Sequence, residues 1–137
     1  MSDDLTALKI ETNGTITGIV LDEADPLASI RAALGESCSM AERVLCYPCP
    51  GEPDWNFTVW LDEDAQARGA ANNRTAAGVL TQLRPDRVCY FFGTVVLTGQ
   101  GDRRELVSAL PDIVEEWAQS IANEVGVPWV IAWEDVV

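Results

Sequence analysis

Apolar and polar residues alternate over Leu8-Lys9-Ile10-Glu11-Thr12, and a second, β-branched run extends from Thr15 to Leu21, with Asn13-Gly14 between them. A period of two predicts strands, and an Asn-Gly pair between two such runs predicts a hairpin closed by a type I′ turn. The period then changes. Asp25-Pro26 offers an N-cap and a first-position proline, Leu27, Ile30 and Leu34 recur at helical spacing, and Gly35 offers a stop. The chain therefore opens as ββα.

Further along, Arg43 to Tyr47 predicts a short strand, and Pro48-Cys49-Pro50-Gly51-Glu52-Pro53 predicts a loop, because its three prolines lack the N–H that a ladder needs. Trp55 to Leu61 alternates, with Trp55, Phe57, Val59 and Leu61 on one face and Asn56, Thr58 and Trp60 on the other, the pattern of a strand half buried in an antiparallel sheet. Asp62 to Pro85 predicts a loop and then a short helix over Ala76 to Leu83. Val88 to Thr98 is apolar on both faces and predicts a central strand, with Gly93 at a bulge or a close backbone approach and Gly99-Gln100-Gly101 as its end. Leu106, Leu110, Ile113, Val114, Trp117, Ile121 and Val125 follow helical spacing between Arg104 and Val125, with Pro111 in the first turn or at a kink, and Val127 to Trp133 predicts a last strand. Together these elements predict one α+β domain over residues 1–137, a mainly antiparallel sheet with helices packed on one face.

Charge changes the picture more than composition does. The chain has 22 acidic and 9 basic residues, a net charge of −13, which disfavours direct binding to nucleic acid or to an anionic membrane, since both need Lys and Arg against phosphate. Acidic clusters recur at Asp22-Glu23-Ala24-Asp25, Asp62-Glu63-Asp64, Glu115-Glu116 and Glu134-Asp135. Asp62, Glu63 and Asp64 follow a strand, where a turn is expected to present all three to solvent, and Trp60, on the polar face of that strand, is a candidate contact residue beside them. Such a surface suits a basic host or viral protein, including one that itself binds nucleic acid, because an acidic face imitates a DNA backbone. The first residues carry no basic or apolar leader pattern and no apolar run approaches the ~20 residues of a membrane span. The expectation is a cytoplasmic protein with four free thiols, in which the glycosylation sequons at Asn13, Asn56 and Asn73 carry no meaning.

The chain contains no histidine, which excludes Ser-His-Asp and Cys-His nucleophilic sites and every histidine metal ligand. Cys46 and Cys49 have the spacing of a zinc knuckle, but Cys38 and Cys89 form no second C-x-x-C pair, so neither a metal nor another cofactor is expected. Asp62-Glu63-Asp64 begins like a calcium loop, yet Ala67 replaces its obligatory Gly and Asn73 its terminal Glu. Gly99-Gln100-Gly101-Asp102-Arg103-Arg104 lies between a predicted strand and helix but has Arg104 where a dinucleotide fingerprint has its third Gly. Backbone N–H groups there, with Arg103 or Arg104, remain a candidate for holding a phosphate, against a plain turn with two solvated arginines. Asn73 and Arg74 are a second candidate ligand pair, against a structural role in which Arg74 meets a carboxylate and pins its loop to the sheet.

Asn72-Asn73-Arg74-Thr75-Ala76, followed by Phe92-Gly93-Thr94-Val95-Val96-Leu97-Thr98-Gly99, resembles a family of small domains of unknown function (number 3846) found mainly in phages, plasmids and their hosts. The likeness runs from about Leu8 to Gly99 and includes the hairpin, the short helix, a strand pair, an N-R-x-A element and a G-T-x-x-L-x-G strand. Ala70-Ala71-Asn72 stands where the family commonly has Leu-Pro-Pro before its Asn-Arg pair, and residues 100–137 look like an added helix and strand. The resemblance implies a mobile-element origin and carries no catalytic residue. The leading expectation is therefore a non-enzymatic accessory protein of a phage or other mobile element that binds a protein partner through its acidic surface. The alternatives are a small-molecule binder that holds an anionic nucleotide with Arg74, Arg103 or Arg104, and a carboxylate-metal enzyme, for which no paired carboxylate motif stands out.

Overall fold

In a computed structural model of the chain, residues 5–35, 41–49, 52–83, 91–100 and 134–135 are described. They form strands β1 (Leu5–Ile10) and β2 (Ile16–Leu21), helix α1 (Pro26–Leu34), strands β3 (Ala41–Cys49) and β4 (Glu52–Asp62), helix α2 (Arg74–Leu83), and strands β5 (Val95–Gln100) and β6 (Glu134–Asp135). One sheet holds all six strands in the order β3-β4-β5-β1-β2-β6. Every pairing is antiparallel except β2 with β6, and α1 lies against β2, β3, β4 and β5. This is the expected α+β class.

The first hairpin forms where the alternation places it, but its turn is of another type. A type I′ turn needs positive φ at both central residues, whereas Gly14, at φ 92°, is the only residue of this turn in the left-handed region. The Gly14 N–H donates to the Glu11 carbonyl at 3.0 Å and the Glu11 N–H to the Thr15 carbonyl at 2.9 Å. The result is a three-residue loop ending in a left-handed glycine, which spares Asn13 an unfavourable φ.

Helix α1 follows its sequence signals. The Asp25 carboxylate accepts the Ala28 N–H at 3.2 Å, Pro26 takes the first position, and the Gly35 N–H closes on the Arg31 carbonyl at 3.2 Å. Ser29, Ile30, Ala33 and Leu34 face inward, and the Ser29 hydroxyl accepts the Asp22 N–H at 2.9 Å, tying the helix to the end of β2. Ile30, Ala33 and Leu34 pack on Ala7, Ile19, Leu21, Val96 and Trp60, with Leu5 and Leu27 at the margin.

Register assigns these sheet residues to one face: Ala7 pairs with Ile19, Lys9 with Val96, and Val96 with Trp60. The opposite face carries Leu8, Ile10, Ile16, Val95, Leu97, Phe57 and Val59, all essentially fully buried. Burial on both faces corrects the half-buried reading of β4: Phe57, Thr58, Val59 and Trp60 are all buried, with α1 packed over the Trp60 face and β3 and β5 paired along the strand's two edges. The Trp60 indole N–H, taken out of water, donates to the Thr98 hydroxyl at 2.8 Å.

Three more boundaries differ from the sequence reading. Pro48, Cys49, Glu52 and Pro53 belong to strands, not to a loop, and the register jumps from Pro48↔Asn56 to Cys49↔Glu52. Pro48 lies on β3, at one end of the strand order, and Pro53 falls in the stretch the jump skips, so neither proline has to donate to a regular ladder. The central strand begins at Val95 and runs through Gly99 to Gln100, and Gly93 lies before it at φ 78°. Helix α2 starts at Arg74, two residues earlier than expected. The expected helix over 104–125 and strand over 127–133 lie outside the described residues, as do Cys38 and Cys89.

Candidate functional site

The candidate residues gather where β1 ends, because register sets Ile10 and Leu61 both opposite Val95. From this end β4 passes into the segment 62–73. Its backbone bonds make it one helical turn with a glycine closure: the Ala65 N–H reaches the Asp62 carbonyl, the Arg68 N–H that of Asp64, the Gly69 N–H that of Gln66, and the Ala70 N–H that of Ala65, at 3.0 to 3.1 Å. Gly69 has φ 76°, as the last two of these bonds, a Schellman pair, require. Ala65 is buried on the inside of this turn, and Glu63, Asp64, Gln66, Ala67 and Arg68 are exposed.

Asp62 does not share that exposure. Its side chain is 5% exposed and pairs with Arg68, which is 38% exposed, and it also accepts the Asp64 N–H at 2.9 Å. The expectation that the turn presents all three carboxylates to solvent therefore fails at Asp62. A residue at the start of a helical turn satisfies that turn's free N–H groups with its own carboxylate, and here the inward position also draws in an arginine. Glu63 and Asp64 remain as the outward charges.

Trp60 departs from its expected place as well. It is 4% exposed beneath α1, so the face that looked polar in sequence, Asn56-Thr58-Trp60, is the one the helix covers.

Asn73 is fully buried, and every hydrogen-bonding group it has is used. Its amide Nδ2 donates to the carbonyls of Ile10 and Gly93, each at 2.9 Å. Its Oδ1 accepts the Ala76 N–H at 3.0 Å and caps α2, its own N–H donates to the Phe91 carbonyl at 2.6 Å, and its carbonyl accepts the Ala77 N–H at 3.2 Å. One side chain thus joins the end of β1, the corner before β5 and the start of α2. The Gly93 N–H donates to the Ala71 carbonyl at 2.8 Å, flanking the Asn72↔Phe92 bridge. A Cβ on Gly93 would lie 3.4 Å from that of Ala65 and 3.5 Å from that of Ala70.

Arg74, beside it, is exposed and forms no ion pair among the described residues. β5 runs away from Arg74 and reaches Gln100 at the far end of the sheet, opposite Asn56. Arg103 and Arg104 lie outside the described residues.

The acidic clusters are divided in the same way. Leu5 pairs with Leu21 at the far end, so Asp22, Glu23 and Asp25 leave the sheet there, while Glu63 and Asp64 stand at the Asn73 end. Strands of six residues set the two groups roughly 17 Å apart or more, about two Debye lengths at physiological salt, and they do not act as one patch. Among the described residues no group of three acidic or cysteine side chains is placed to hold a metal ion, and no helix is long and apolar enough to cross a membrane. Three residue steps along an extended strand lead from Cys46 to Cys49 on β3, roughly 10 Å between Cα atoms. Comparison with protein-family models, with curated proteins and with solved structures finds no match to this chain.

Proposed function

We propose that the protein is a non-enzymatic, cytoplasmic accessory protein of a phage or other mobile element, and that it binds a basic host or viral protein through acidic side chains. The observation that supports this reading best is the Asp62–Ala70 turn. Glu63 and Asp64 project from it into solvent, and its shape is set from within by Asp62, Arg68 and Gly69, in a chain of net charge −13. A preformed turn loses little entropy when a partner docks, and exposed carboxylates accelerate encounter with a basic surface. Trp60, being core, has no part in the contact, and Asp62 contributes by holding the turn.

Affinity capture from host lysate, followed by affinity measurement with the captured partner, tests the reading. Binding weakens as ionic strength rises above physiological, where the Debye length is about 8 Å, and the double charge reversal Glu63→Lys with Asp64→Lys weakens it further while the thermal melt stays unchanged. A partner whose affinity responds to neither salt nor this substitution refutes the electrostatic mechanism.

A further inference from the structure

The hairpin turn that joins β1 to β2 carries the chain's Asn13-Gly14 pair. Asn13 is exposed at its tip and is followed by Gly14, which is buried but has no Cβ to obstruct approach of the carboxamide to its backbone nitrogen. The Asn13 Oδ1 accepts the Thr15 N–H at 2.9 Å. This bond folds the carboxamide back over the Gly14 peptide, and it places a donor on the oxygen that becomes negative when the carboxamide carbon is attacked, the role an oxyanion donor has in acyl transfer. Asn56 precedes Phe57, Asn72 precedes Asn73, Asn73 precedes Arg74 and Asn123 precedes Glu124, so each has a bulky neighbour, and Asn73 is buried with its amide fully bonded.

We propose that Asn13 is a site of spontaneous covalent modification, the deamidation of the folded protein through a succinimide. The Gly14 nitrogen loses its proton and forms a bond to Cγ of Asn13, and the side-chain nitrogen leaves as ammonia. Water then opens the ring. Attack at Cγ breaks the new bond and gives aspartate, while attack at the main-chain carbonyl breaks the original peptide bond and gives isoaspartate, with the chain running through Cγ. In sum, asparagine and water become a carboxylic acid and ammonia, with no redox partner. The step requires the Gly14 N–H to leave the Glu11 carbonyl; Gly14 is buried beside the exposed Thr12 and Asn13, so the step proceeds through a local opening of the turn that stops short of global unfolding. The aspartate product keeps the bond to the Thr15 N–H. The isoaspartate product lengthens the main chain inside a loop whose closing bonds depend on residue count. Both add a negative charge beside Glu11, at the end of the sheet that carries Glu63 and Asp64.

The test holds the native protein at mildly alkaline pH and follows every asparagine by peptide mapping, with isoaspartyl methyltransferase labelling to separate the products and Asn13→Asp as the chromatographic standard. A mass gain of one dalton is expected at Asn13, with methylatable isoaspartate there, before any conversion at Asn56, Asn72, Asn73 or Asn123. An Asn13 that stays an amide in the native protein, or converts only after unfolding in urea, overturns the proposal.

Discussion

Replacing Asn73 by alanine is expected to be the most damaging single change among the polar residues described. The substitution removes three side-chain hydrogen bonds from a fully buried position. Loss of the cap on α2 costs about 1 kcal/mol, and each of the Ile10 and Gly93 carbonyls left without its donor costs about 1 to 3 kcal/mol. The sum is about 3 to 7 kcal/mol, a large part of the roughly 5 to 15 kcal/mol that holds a domain together. Urea titration followed by tryptophan fluorescence measures it directly, since Trp60 reports the core. Two further variants separate the contributions. Asn73→Ser keeps a cap and loses both carbonyl contacts, so it falls between alanine and wild type. Asn73→Asp keeps the better cap but turns an oxygen toward two buried carbonyls, and it is expected to cost at least as much as alanine. If Asn73→Ala costs less than about 1 kcal/mol, or Asn73→Asp matches wild type, the joining role assigned to Asn73 is wrong.

Thr98→Val leaves the buried Trp60 indole N–H without its acceptor and is expected to lower stability by about 1 to 3 kcal/mol despite its near-identical shape; a neutral effect in the same titration refutes that assignment. Gly93→Ala costs about 1 to 2 kcal/mol from the left-handed backbone, since its φ is 78° and its new neighbours stand at contact distance, and an unchanged melt counts against the close corner. Cys46 and Cys49, at opposite ends of a three-residue extended step, exceed the roughly 7 Å Cα limit for a disulfide, so non-reducing peptide maps of mildly oxidised folded protein should contain no bridge between them.

Elements whose signals are local are legible in the order of residues alone. Asp25, Pro26 and Gly35 delimit α1 because caps act within a few residues of the backbone groups they satisfy. The first hairpin is legible for the same reason. Its turn type is not, since a single left-handed glycine closes the loop as well as an Asn-Gly pair does. The loop reading fails at Pro48, Cys49, Glu52 and Pro53 because a proline's fitness for a strand depends on whether a neighbour needs its missing N–H, and that is a property of the sheet.

The sequence by itself determined where the helix caps, the first turn and the alternating strands lie, and it determined the charge, because all of these depend on residue identity over short distances. Tertiary structure alone decided what each residue is for. Placing β4 between β3 and β5, under α1, turned Trp60 from a candidate contact into core. Curling the chain after Leu61 turned one of three adjacent carboxylates inward. Bringing Ile10, Gly93 and Ala76 within hydrogen-bonding reach of one amide made Asn73 a structural junction. The antiparallel register also sent Asp22 and Asp62 to opposite ends of the sheet. Except for Asp62, whose partners Asp64 and Arg68 lie within six residues, these outcomes join residues tens of positions apart, so no short window of sequence contains the partners that fix them.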